Sequence, residues 1–205
     1  MSTITASLLA IIMSVPTAPQ VAVPVTFSEP VPYEVSAVGW VPEFGDKVIV
    51  DTENNEGFLM HTDGTYMRFP VATGQRRFVY YIGRSYHAAT PNWYWVARSL
   101  HIKGDRVTFG PSGRFLRLYK DGETNTAYGF HEYRTDEEMF GENDSFLPEE
   151  RFESMGCIIV KHEMMDLIVA TWEKNSEVLE VHTQFGIDDL RSVMLAFTQE
   201  ETEKL

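Results

Sequence analysis

Ser154-Met155-Gly156-Cys157-Ile158 holds the single cysteine of a 205-residue chain. A lone thiol often serves as a small buried hydrophobe. Here Gly156 permits a tight turn just before it, and Ser154 offers a hydroxyl close to the sulfur. The apolar run Ile158-Ile159-Val160 reads as a short buried strand that fixes the cysteine at its edge. A cysteine nucleophile needs a base nearby, and Gly129-Phe130-His131 upstream supplies a histidine. Cys157 and His131 are therefore read as a candidate reactive pair.

Upstream of that pair the chain has the grammar of short strands and tight turns. Lys47-Val48-Ile49-Val50-Asp51 predicts a strand, Glu53 to Gly57 a turn, and Phe58-Leu59-Met60-His61 a second strand closed by an Asp63-Gly64 hairpin. Thr65 to Val71 follows, ended by Thr73-Gly74. Arg77 to Ile82, Trp93 to Ser99, Arg106 to Phe109 and Phe115 to Tyr119 are further expected strands, with turns at Thr90-Pro91, Gly110 to Gly113 and Asp121-Gly122. After Cys157, residues 161 to 174 carry Met164, Leu167, Ile168 and Trp172 at helical spacing, a stripe read as core packing. Val178 to Thr183 reads as a last strand and Ile187 to Leu205 as a last helix. The fold class is mainly β, a sandwich-like arrangement with a few peripheral helices, and 13% aromatic content agrees with it.

Charge narrows the partners. A net charge of −13 with no basic cluster beyond Arg76-Arg77 disfavours nucleic acid and anionic lipid. Residues 132 to 153 carry nine acids against Arg134 and Arg151. They read either as a solvated loop with a helical turn at Thr135 to Phe140, or as a lid whose acids attract a cationic substrate group. At the N-terminus, Leu8 to Val15 is too short to span a bilayer but suits an export signal, although no Lys or Arg precedes it. Residues 1–22 are thus expected to be a signal or arm and 23–43 a proline-rich linker. Residues 44–185 are expected to form the catalytic domain and 186–205 a C-terminal helix. Membrane contact is expected only through the N-terminal segment, and one cysteine leaves the compartment open.

Residues 46 to 183 resemble the L,D-transpeptidase (YkuD-type) catalytic domain. The resemblance runs through Val48-Ile49-Val50-Asp51, Asp63-Gly64, Phe69-Pro70-Val71-Ala72-Thr73-Gly74 and Thr90-Pro91. It continues in Tyr128-Gly129-Phe130-His131 and Ser154-Met155-Gly156-Cys157-Ile158, similar to the family's "I-H-G … S-H-G-C-I" pair. It implies a nucleophile at a sheet edge under a lid, in an envelope protein that cross-links peptidoglycan stem peptides and is acylated by carbapenems. Cys157 would be the nucleophile and His131 its base. N–H groups around Gly156 and Cys157 would bind the oxyanion, Ser154 would stand beside them, and Tyr128, Phe130 and Met155 would shape the substrate pocket. Three positions depart from the pattern: Met155 replaces a second histidine, Ile159 a polar or basic residue, and Glu132 a small one. The stretch between His131 and Ser154 is also longer than usual. These departures keep open a catalytically inactive wall-peptide binding module, or an L,D-carboxypeptidase or other cysteine hydrolase with His162 or His182 as base. No Cys/His set has zinc spacing and no nucleotide-binding pattern occurs, so no metal or cofactor is expected.

Overall fold

The structure, a computed structural model, describes residues 31–81 and 83–203, with side chains as far as residue 196. The apolar run Leu8 to Val15 lies outside the described residues. Within the stretch read as linker, Tyr33–Glu34 already joins the sheet as β1. Its backbone is held by Tyr33 N–H donating to Gly64 O at 3.0 Å and Val35 N–H to Tyr66 O at 2.8 Å.

The first meander is Lys47–Asp51 (β2), Glu56–Met60 (β3) and Thr65–Pro70 (β4). Thr73–Gly74 (β5) is a short segment, and Phe78–Tyr81 (β6) and Arg84–His87 (β7) form a separate hairpin. A second meander follows, Trp93–Ile102 (β8), Arg114–Lys120 (β9) and Thr124–His131 (β10). Asp136–Phe140 (α1) comes next, then Phe152–Ser154 (β11), Ile158–Ile159 (β12), His162–Lys174 (α2), Leu179–Gln184 (β13) and Leu190–Glu203 (α3). Among the described residues nine strands make one mixed sheet in the order β1-β4-β3-β2-β13-β8-β9-β10-β12, and β11 pairs with β5 beside it. The chain is therefore mainly β with few helices.

Alternation explains how one sheet feeds two cores. Val48 and Val50 of β2 enter the main cluster, with Leu59, Leu116, Leu118, Phe130, Ile158 and the α2 residues Met164, Met165, Ile168 and Trp172. Ile49, from the same strand, points the other way to Phe58, Met60, Val193 and Met194, so α3 covers the opposite face. The unbroken run Val48-Ile49-Val50 is the sequence trace of a strand buried on both sides.

One expected strand is a turn. Asp105 turns the chain at Arg106 to Phe109: its carboxylate accepts from Val107 N–H at 3.0 Å and Thr108 N–H at 3.1 Å, and its carbonyl from Phe109 N–H at 3.1 Å. An aspartate that satisfies the backbone locally outcompetes strand pairing, which the β-branched Val107 and Thr108 suggested.

Candidate active site

The nucleophile loop is built by Ser154. Its hydroxyl accepts from Gly156 N–H at 3.0 Å and donates to Cys157 O at 2.6 Å, closing a tight turn ahead of β12. Gly156 sits at φ +114°, a conformation side chains rarely adopt. A Cβ there would stand 2.6 Å from the Tyr128 ring. Tyr128 thus packs onto the loop itself, and Thr90 Oγ1 donates to Gly156 O at 3.0 Å from the other side. Because the Gly156 N–H is committed to Ser154, it is not a ready oxyanion donor, and the Cys157 N–H is the candidate that remains.

Register places the pair. β12 runs parallel to β10 with Phe130 opposite Ile158 and His131 opposite Ile159. Phe130 and Ile158 are fully buried in the main core, so Phe130 fills the core and is out of reach of a substrate. Alternation then puts Cys157, His131 and, from β9, Phe115 and Arg117 toward the opposite face. The two reactive groups share a face but no hydrogen bond. The half-buried Cys157 directs Sγ at Ala127 O, 3.7 Å away. His131, 4% exposed, donates from Nδ1 to Glu132 O at 2.6 Å, and its ring lies 5.0 Å from Phe109 and 6.2 Å from Phe115.

Burial dominates the electrostatics of both. It pushes the Cys157 thiol up to about 11, against the opposing pull of the Gly129 N–H and the cationic charges of Arg117 and Lys103. Burial also holds His131 below the ordinary histidine range, although the carbonyls of Glu132 and Thr108 favour its protonated form. The charges acting on the thiol are cationic. In the acidic segment, Glu132 is buried against Arg114 at 2.6 Å, and Met139 and Phe140 pack on Ile159.

Around the loop, Met155 is 40% exposed and its carbonyl accepts from Tyr86 Oη at 3.4 Å. Burial raises the phenols of Tyr86 and Tyr128, and each also interacts with Cys157. Tyr86, Arg117 and Lys103 were not singled out by sequence. Arg117 was legible in principle, two residues from Phe115 on an expected strand, whereas Tyr86 reaches the site only because β6 and β7 form a hairpin. His162 donates from Nε2 to Tyr133 O, 3.1 Å away, and His182 stacks on Tyr94; neither contacts Cys157. Among the described residues no group of three or more His, Cys, Asp and Glu could hold a metal ion, and no helix is long and apolar enough to cross a membrane.

No curated protein matches the chain at a significant level. Among solved structures it is similar to an L,D-transpeptidase from Xylanimonas cellulosilytica, at 18% identity and TM-score 0.48 over 72% of this chain and 66% of that one. An L,D-transpeptidase from Enterococcus faecium gives 14% identity and TM-score 0.45 over 69% and 50% of the two chains. The helical cell shape determining protein Pgp2 from Campylobacter jejuni gives 14% and 0.45 over 80% and 57%. The chain therefore spans between half and two thirds of the length of these proteins. The family profile of the YkuD L,D-transpeptidase catalytic domain matches residues 45–179, more than half of the sequence and the whole span from β2 to the start of β13. The chain belongs to the L,D-transpeptidase (YkuD) family.

Proposed function

We propose that the protein is a cysteine acyltransferase of the bacterial cell envelope, an L,D-transpeptidase that cross-links peptidoglycan stem peptides through an acyl-enzyme on Cys157. The observation that carries this reading is the placement of the one thiol on a glycine turn beside the strand that bears His131. In the first half-reaction the Cys157 sulfur attacks the carbonyl carbon of the L,D bond after the stem's diamino acid, and its proton passes to His131. The C–N bond breaks, and the D-alanine amine leaves with that proton. In the second half an amine of a neighbouring stem attacks the thioester, gives its proton to His131 and returns the sulfur to the thiol. The Cys157 N–H faces the oxygen that becomes negative, and Tyr128 and Met155 border the peptide. Water in place of the amine would make the same site an L,D-carboxypeptidase.

A second reading has its own support. A thiol at about 11, with no hydrogen bond to His131, also suits a catalytically inactive module that binds wall peptide. Intact-protein mass after mixing with a carbapenem separates the two. The acyltransferase reading expects one stoichiometric adduct on wild type, none on Cys157→Ala, and slower formation on His131→Ala. An unmodified wild type whose thiol still reacts with iodoacetamide favours the binding module.

A further inference from the structure

An open pocket of about 350 Å³ lies against the nucleophile loop, lined among others by the buried Thr52 and Thr90 and the exposed Arg76, His87, Asn92 and Phe185. Its volume is at the small end of ligand pockets, enough for an amino acid or a dipeptide. In a chain with 30 Asp and Glu residues, none of the residues lining it is acidic. The cation in its wall, although exposed, is anchored by rings and by backbone carbonyls. The Arg76 guanidinium lies between two rings, 3.8 Å from the Phe152 centroid and 4.6 Å from that of Phe185. Its Nη2 donates to Thr52 O at 2.8 Å and to Glu53 O at 3.0 Å. Arg68, Arg114 and Arg134 each pair with a carboxylate, but Arg76 meets only carbonyls and rings, and its Nε and Nη1 have no acceptor among the described residues. A guanidinium stacked and anchored in this way has lost part of its conformational freedom before any ligand arrives, which favours binding a planar anion.

We propose that this pocket binds the carboxylate of a peptide C-terminus, with Arg76 as the charged anchor, the Asn92 amide and His87 imidazole as neighbouring polar groups, and Phe185 as an apolar wall. The hydroxyls of Thr52, Thr73 and Thr90 already donate to Gln184 O, Asn55 Oδ1 and Gly156 O, which leaves Arg76, Asn92 and His87 as donors and suits the two oxygens of a carboxylate better than the three of a phosphate. The pocket shares a wall with the nucleophile loop: Thr90 lines it, accepts from Gly74 N–H at 2.9 Å, and donates to Gly156 O. An occupied pocket therefore bears on the residue before Cys157. The ligand's identity as a peptide end rests on the cell-wall reading above; binding itself requires no acylation.

The test titrates the isotope-labelled full chain with alanyl-alanine and, separately, with its C-terminal amide, following backbone amide shifts. The free acid is expected to saturate and to move Thr52, Arg76 and Asn92, and the amide to bind at least about ten-fold more weakly. Arg76→Gln is expected to lose that difference, and Asn92→Ala to weaken the acid several-fold. Equal affinity for acid and amide would overturn the proposal without any variant. So would shifts confined to other regions, no shifts at all, or displacement by inorganic phosphate at similar concentration. Absent dipeptide binding alongside an intact carbapenem adduct overturns this proposal alone; dipeptide binding with no adduct overturns the acyl-transfer reading alone.

Discussion

Two opposed influences meet at Cys157. Burial raises the thiol to about 11, while the Gly129 N–H and the charges of Arg117 and Lys103 pull it down. At pH 7 roughly one molecule in ten thousand then carries a thiolate, so attack on a substrate needs proton removal in step with it. Alkylation by iodoacetamide should accordingly rise about ten-fold per pH unit from pH 7 and level off only near pH 11. A plateau already near pH 7 would instead reveal a Cys157–His131 ion pair and refute the neutral resting thiol. Next to it, Gly156 is fixed by geometry. Gly156→Ala places a methyl 2.6 Å from the Tyr128 ring at φ +114°, which should cost about 2 kcal/mol or more in urea unfolding. Gly156→Ala with unchanged stability and thiol reactivity would mean that the turn relaxes freely.

Among the elements, the turn after β8 shows what sequence could and could not reveal. Val107 and Thr108 read as strand, yet Asp105 caps the backbone and folds it into a turn that carries Phe109 and the Thr108 carbonyl to His131. The first meander, β8, β9, α2 and α3 were legible because strand and helical patterns report directly on burial, whereas β10, which carries His131, was not read as a strand. The short pairings β5–β11 and β6–β7 were not legible, since a few residues carry no period and their partners are set by tertiary contact. Cys157, His131, Ser154 and Tyr128 could be named from sequence, but not that Ser154 would occupy the Gly156 N–H or that Phe130 would turn into the core. Glu132 looked merely out of pattern. It is in fact buried, bonded to Ser112 and Arg114, and Arg114 also reaches Asp166 of α2 at 2.7 Å. Arg114→Met should strand that carboxylate and cost about 3 kcal/mol, whereas Arg114→Met combined with Glu132→Gln should recover part of the loss. Additive losses in the double variant would show that the two side chains do not act as a pair.

Over the whole molecule, both faces of the large sheet are covered, and two histidines are enclosed in the process. His182 of β13 stacks on Tyr94 at 4.0 Å, and burial pushes it down to about 4; burial also lowers His131. His182 is neutral in the fold above about pH 4 and titrates near 6.5 once the chain unfolds, and His131 is shifted in the same direction. Between those values the unfolded chain takes up protons that the folded chain refuses. Stability is therefore at its full value above about pH 6.5 and falls as the pH drops toward 4. Asp46, raised by burial, acts in the opposite sense from the ordinary aspartate value upward, so it offsets part of the loss at the acid end of this window. Melting temperature measured from pH 7 to 4.5 should decline for wild type and decline less for His182→Phe, which keeps an aromatic ring on Tyr94 but cannot bind a proton. If the two decline in parallel, His182 is not what makes the fold acid-sensitive, and His131, at the strand beside the nucleophile, is the group to examine by the same measurement with His131→Phe.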